Sequence, residues 1–146
     1  MTITRRAICF LLSGLFPSAR VLDAFAAEDT SLPSAPYPFG KLTMQILDHA
    51  EMRRVLKGKL ATGEALEVHE TTLPAGAAPH APHHHLHSEM WLVREGTVEL
   101  TVNGTSYRLG PGGVGFVHSN DEHGIKNVGA TAATYFVVAV GPGADA

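Results

Sequence analysis

Pro79-His80-Ala81-Pro82-His83-His84-His85-Leu86-His87-Ser88-Glu89 is the stretch whose reading decides the fold. It holds five of the chain's nine histidines and leads straight into an apolar run, Glu89 to Val93. A histidine-rich tract by itself binds metal only loosely. Here the spacing adds geometry. Side chains alternate across an extended strand, so His83 and His85 share a face, and Glu89, four residues on, keeps the same parity. Three donors can therefore face one point. A divalent ion wants at least a fourth, and His123, which follows Asn120-Asp121-Glu122 near a later strand start, supplies it if that strand runs beside the first. Trp91 and Val93 continue the parity of Glu89 and predict an apolar wall beneath the ligands. His84 has the opposite parity. His87 has the right parity but sits between two ligands, so it is expected as a rim or supporting group. His80 is expected on the loop surface.

Outward from this stretch the chain breaks into short apolar runs separated by turn signals. Strands are predicted over 42–48, 53–60, 65–73, 89–93, 97–102, 105–109, 114–117, 124–127 and 134–140. Thr62-Gly63, Glu95-Gly96, Asn103-Gly104 and Gly110-Pro111-Gly112-Gly113 are the breaks, and Asn103-Gly104 is a strong hairpin turn signal. No segment carries a sustained helical period. Many short strands with closely spaced turns predict a β-sandwich or barrel. Two strands are apolar on both faces: Met90 and Leu92 alternate with Trp91 and Val93, and Phe136, Val138 and Val140 alternate with Tyr135, Val137 and Ala139. One face of such a strand should be wet, so a covered outer face is expected. A homodimer is the economical cover, and an N-terminal arm is the alternative.

The spacing also resembles a known family. His83-x-His85-x3-Glu89-x6-Gly96 matches the first cupin motif, and Gly112, His123 and Asn127 fit the second. The resemblance covers about residues 65–140 and implies an all-β, double-stranded β-helix, the jelly-roll barrel of cupins, with a metal inside. It implies His83, His85, Glu89 and His123 as ligands. Such a set suits Mn, Fe(II), Ni, Cu or Zn without choosing among them. There are departures. Gly76 stands one residue further from His83 than the motif asks. His118 replaces the second motif's proline and Asn120 its glycine; asparagine tolerates the left-handed turn that glycine serves. Asn127 is expected to bond backbone rather than to act in catalysis.

Candidate substrate contacts are His69, which shares a face with Glu67 in the preceding strand and either lines the cavity or is wet, Trp91, as a stacking surface or as core packing, and His118, at the barrel mouth or solvated in its loop. An anionic substrate calls for an inward cation. Arg94 and Lys126 fall on the face away from the ligands, which leaves Arg53 and Arg54 as candidates. Asp121 and Glu122 are expected to be solvated.

The N-terminus reads as an export signal over residues 1–26: Arg5-Arg6, an apolar run from Ala7 to Phe16, and small residues at Ala24 and Ala26. Thr4-Arg5-Arg6 resembles a twin-arginine signal, with an ordinary secretory signal as the other reading. Removing it takes three arginines and one aspartate, so net charge moves from −3 to −5. It also takes Cys9, the single cysteine, which excludes disulfides and thiolate chemistry from the mature chain. An acidic chain without a basic stripe argues against nucleic acid, and no membrane span remains once the signal is gone. Residues 27–40, with Pro33, Pro36 and Pro38, read as an extended arm, and 41–146 as the barrel domain. The expected protein is periplasmic or secreted. It is expected either to act as a metal-dependent enzyme on a small organic molecule (dioxygenase, decarboxylase, isomerase or lyase type) or to bind a small molecule or metal without turnover.

Overall fold

The computed structural model describes residues 31–146. The predicted export signal and the first residues of the arm lie outside the described residues. Nine strands follow one another: β1 Met44–Leu47, β2 Ala50–Lys59, β3 Ala65–Leu73, β4 Ser88–Glu95, β5 Val98–Val102, β6 Thr105–Leu109, β7 Val114–Val117, β8 His123–Asn127 and β9 Ala133–Val140. All strand pairings are antiparallel. One sheet has the order β1-β2-β3-β9-β4-β7 and the other β6-β5-β8. Two antiparallel sheets facing each other across one core are the jelly-roll barrel expected of a double-stranded β-helix.

The alternation read from the sequence sorts the strands into inner and outer faces. Trp91, Val93, Tyr135 and Val137 from the larger sheet meet Val98, Leu100 and Ile125 from the smaller, all nearly sealed from solvent. Each such side chain contributes roughly 1.5–3 kcal/mol by leaving water. The expected strand set holds to within a few residues. The first two differ most: β1 ends at Leu47, which pairs with Ala50. Asp48 and His49 are the two-residue turn between them, because a short polar side chain favours the turn over the ladder.

Three residues lock the connections next to the site. Gly96 has a φ of 79°, and a Cβ there would stand 2.6 Å from the Ala133 backbone, so no side chain fits. Asn120 takes the left-handed conformation expected of it, with a φ of 65°. Asn127 is wholly buried and bonds backbone, as expected. Its Nδ2 donates to the carbonyls of Leu73, Pro74 and Thr131, and its Oδ1 accepts from Gly129 N–H.

The proline-rich arm lies against the barrel. Leu32 N–H donates to the Lys59 carbonyl at 2.7 Å, and a short 3-10 turn follows at Phe39–Lys41. The Phe39 ring sits 4.8 Å from the Arg53 guanidinium and 5.7 Å from that of Arg94, on the outer face of the larger sheet. The arm does not cover the rest of that face. Met90 pairs across the ladder with Phe116 and Val138, and Leu92 with Val114 and Phe136, so the apolar residues are contiguous. Phe116 remains 58% exposed and Val114 54%.

Candidate metal centre and cavity

The histidine loop is held by backbone before any side chain acts. His83 and His123 exchange both backbone hydrogen bonds, at 2.9 and 2.8 Å, in an isolated antiparallel bridge. Asn120 N–H donates to the His85 carbonyl at 2.8 Å. The loop carrying two of the predicted ligands is thus pinned to the strand carrying a third. Gly124 allows this approach, since a Cβ there would stand 3.2 Å from Pro82.

His83, His85 and His123 converge, each offering a ring nitrogen within 4.8 Å of the others. Glu89 completes the group: its Oε2 lies 3.3 Å from His123 Nε2 and its Oε1 3.5 Å from His85 Nε2. The four residues read from the sequence are thus brought together. Two of the rings are oriented from behind. His85 Nδ1 faces the His87 carbonyl at 2.9 Å, and His123 Nδ1 faces the Asp121 carbonyl at 2.9 Å. A carbonyl can only accept, so the ring proton belongs on Nδ1 and Nε2 carries the lone pair. Those Nε2 atoms are buried and have no hydrogen-bond partner. Buried polar atoms without partners are rare and call for an explanation. A divalent cation between lone pairs and a carboxylate is one, and carbonyl-oriented imidazoles are the usual support of such an ion. The residues present therefore fit the metal.

Charge at the site follows the same grouping. Burial pushes the Glu89 carboxyl up, but the His123, His85 and His87 rings outweigh it and hold it below the usual carboxylate range. Burial pushes His123 down, but Glu89 and the Asp121 carbonyl outweigh it and leave the ring more basic than an ordinary histidine. Burial lowers His83 and His87, helped by the neighbouring imidazoles.

The cluster opens onto a cavity of about 230 Å³ whose lining includes His69, Thr71, Glu89, Trp91, His123 and Tyr135, with Ile125, Val137, Met52 and Leu47 as apolar walls. His69 and Trp91 thus line the cavity. His118 does not: it is exposed in the turn before β8, its Nδ1 facing the carbonyl of its neighbour Ser119. Neither candidate cation lines the cavity. Arg54 donates from Nε to Glu67 at 3.2 Å, and Arg53 lies over Phe39. Arg94 and Lys126 are exposed as expected, and the lining contains no Lys or Arg. His87, expected as a rim or supporting group, is stacked on His85 at 3.6 Å with Nε2 3.5 Å from Glu89 Oε1, and with His85 and Glu89 it forms a second group of close donors. His80 is on the loop surface as expected, and it has a further contact. Though exposed, it meets the His83 ring edge-on at 4.3 Å and joins the cavity lining. Parity could not find it, because the chain from Ala77 to His87 runs outside the strands.

Comparison with known proteins agrees with this geometry. The model of the Cupin domain family matches residues 69–139. The L-ectoine synthase of Bordetella parapertussis is 40% identical over 73 residues, 49% of this chain and 53% of that protein. The chain spans about half the length of the curated relatives it matches. Among solved structures, a predicted oxalate decarboxylase of Thermotoga maritima superposes with a TM-score of 0.62 at 20% identity, covering 73% of this chain and 99% of that one. An RmlC-like cupin of Shewanella frigidimarina gives 0.63 at 21%, covering 77% and 96%. At such identities the likeness speaks for the fold alone. Residues 69–139 thus match the Cupin domain family, and the barrel and the two motifs within it agree with that match.

Proposed function

We propose that this chain is an exported, metal-dependent enzyme of cupin type that holds one divalent metal on His83, His85, Glu89 and His123 and acts on a small organic molecule in the adjoining cavity. The observation that carries the reading is the pair of buried Nε2 atoms of His85 and His123, without hydrogen-bond partners and 3.5 and 3.3 Å from the Glu89 carboxylate. Three imidazoles and a carboxylate suit Mn, Fe, Ni, Cu or Zn. Bound there, such an ion supplies Lewis-acid polarisation of a substrate oxygen and, if it is iron or copper, access to dioxygen chemistry.

The chain's own residues do the rest. Trp91, Ile125 and Val137 line an apolar chamber that displaces water around the reacting group. The Tyr135 phenol is pushed up by burial and by Glu89, so it stays protonated and can donate a hydrogen bond. Relatives named L-ectoine synthase support an enzyme over a carrier. The reaction class stays open among dioxygenase, decarboxylase, isomerase and lyase types. A second reading, a binding module without turnover, draws support from the absence of Lys and Arg in the lining, which leaves few groups to activate a substrate.

Elemental analysis of the protein purified after native export tests the main reading, with His83→Ala beside it. About one equivalent of a transition metal, lost in the variant, is the expected result. Equal metal in both, or none in either after titration, would sink the site. The same sample's mass spectrum reads the N-terminus: a chain beginning at Ala27 supports export, and an intact Met1 start in the cytoplasm refutes it. We further propose a homodimer through the exposed apolar strip of Leu92, Val114, Phe116 and Val140. Light scattering should give twice the chain mass, and a monomer in Phe116→Lys. A monomeric wild type rejects it.

A further inference from the structure

His69 is an imidazole of the cavity lining outside the metal group, and it has an apparatus of its own. It stands on β3, across β9 from Trp91, since both residues pair with Val137. Its Nδ1 is sealed from solvent and without a hydrogen-bond partner. Glu67 Oε1 is the acceptor that faces it, at 3.9 Å, within range of a small side-chain adjustment or a bridging water. Glu67 is held in turn, because Arg54 Nε donates to the same oxygen at 3.2 Å. Cation, carboxylate, imidazole and cavity thus follow in series. A carboxylate behind Nδ1 keeps the ring proton there and leaves Nε2 as a base.

We propose that Glu67 and His69, anchored by Arg54, form a proton-accepting dyad on the cavity wall beside the metal cluster, and that the site takes a small molecule with a weakly acidic C–H, N–H or O–H next to the group held at the cluster. The placement of that molecule rests on the metal reading; the dyad does not. In the step, the substrate X–H bond breaks and its electron pair stays on X. The proton forms an N–H bond at His69 Nε2, and the imidazolium is balanced by Glu67. The same proton returns to the product, so no oxidant or reductant is consumed. Three charged groups bear on the ring: Glu67 from its own strand, Arg54 from β2 and Glu89 from β4. Burial is the strongest influence and lowers the ring's basicity, while both carboxylates oppose it. The ring is therefore neutral, and able to accept, near neutral pH. Among the described residues the cavity wall has no Lys or Arg, which leaves this imidazole, with the exposed His80, as a base not committed to metal.

Two measurements on the zinc-loaded chain test the dyad. Long-range proton–nitrogen spectra of histidine-labelled protein read tautomers directly, with His69 assigned by its loss in His69→Gln. The expected result is an Nδ1–H ring in the wild type that shifts toward Nε2–H in Glu67→Ala. An Nε2–H ring in the wild type, or no change in the variant, overturns the proposal. Calorimetry with acetohydroxamic acid as a weakly acidic, metal-seeking probe, run in two buffers of different ionisation enthalpy, counts the protons released. The wild type should keep about one proton that His69→Gln releases. Equal release in both, with zinc and probe bound, overturns the dyad and leaves the metal site standing. Failure of the metal reading shows differently, as no zinc bound, and the tautomer measurement on the metal-free protein then decides.

Discussion

Glu70 and Glu89 stand on strands of one sheet, the first on its outer face and the second on its inner. Glu70 is buried and Glu89 half-buried, and they are served in opposite ways. Glu70, only 2% exposed, accepts from Arg94 Nη1 at 2.6 Å, and Phe39 of the arm lies near the same guanidinium. Its partner is a permanent cation with the right geometry. Glu89 faces three imidazole nitrogens at 3.3 to 3.5 Å, two of them His85 Nε2 and His123 Nε2, which have no hydrogen-bond partner. A neutral ring turned this way presents a lone pair to an anion, which is unfavourable unless a cation or proton lies between. The outer carboxylate therefore has its cation within the fold, on Oε1 alone, with Oε2 buried and without a hydrogen-bond partner, and the inner one waits for its cation from solution. Carboxylate chemistry is common to both; a cation already in place on one and not on the other separates structure from function.

The largest effect should appear where the partner is missing. Excess zinc should stabilise the wild type by RT ln(1 + [L]/Kd), about 4 kcal/mol at a thousand-fold excess over Kd, and a chelator should remove that gain. Glu89→Gln keeps the shape and loses the charge, so most of the gain should vanish while the chelated forms melt close together. Thermal melts with and without metal measure it, and an equal gain in the variant would break the contrast. The sign with pH follows from His123. Its basicity is raised, so in the metal-free protein it holds a proton further into the neutral range. Metal must displace that proton, and affinity should fall as pH drops.

A smaller effect is expected on the side whose cation is in place. Arg94→Ala leaves Glu70 buried without its cation. Stripping one partner from a fully buried pair costs about 3–5 kcal/mol. Arg94 itself is 47% exposed, so water screens the pair and can reach the orphan, and about 1–2 kcal/mol is the reasonable loss. Urea unfolding should show it, and adding Glu70→Gln should restore part. Metal content should not move. A variant that loses metal as well would mean that the two faces are coupled.

Part of this contrast was legible in the sequence. The spacing of His83, His85, Glu89 and His123 grouped these four side chains, and alternation placed Trp91 on the face of Glu89, because both depend on local periodicity, whereas for His69 it left the cavity and a wet face both open. Asn120 and Asn127 were legible for a similar reason: a turn position and a backbone-bonding amide carry their chemistry in the residue type. Other features came only from long-range contacts. The loop before β4 has no regular period, which hid His80. The stretch of chain separating Arg94 from Glu70, and the approach of Phe39 to Arg94, left no mark near either residue. Arg53 and Arg54 looked alike as candidate cations, yet the irregular register between Arg54 and Leu56 belongs to the pairing with β3. One ended over Phe39 and the other on Glu67.

Phe39 gives the smallest effect and the most pointed test of how the outer face is finished. Its ring is 51% exposed, so hydrophobic burial is modest. Its contacts with the guanidinium groups of Arg53 and Arg94 are of the cation–π kind, worth about 0.5–1 kcal/mol at exposed sites. If Phe39 acts only through that attraction, Phe39→Ala should cost about that much in the wild type and close to nothing once Arg94 is also alanine, apart from the share owed to Arg53. If instead the ring keeps water from Glu70, its removal should hydrate the unpartnered Glu70 Oε2. The loss in the Arg94→Ala background would then change sign, because an unpaired buried carboxylate gains from water. A double-mutant cycle by urea unfolding separates the two. A favourable coupling between Phe39 and Arg94 supports attraction, and stabilisation by Phe39→Ala in the Arg94→Ala background shows that the arm works by keeping the outer carboxylate dry.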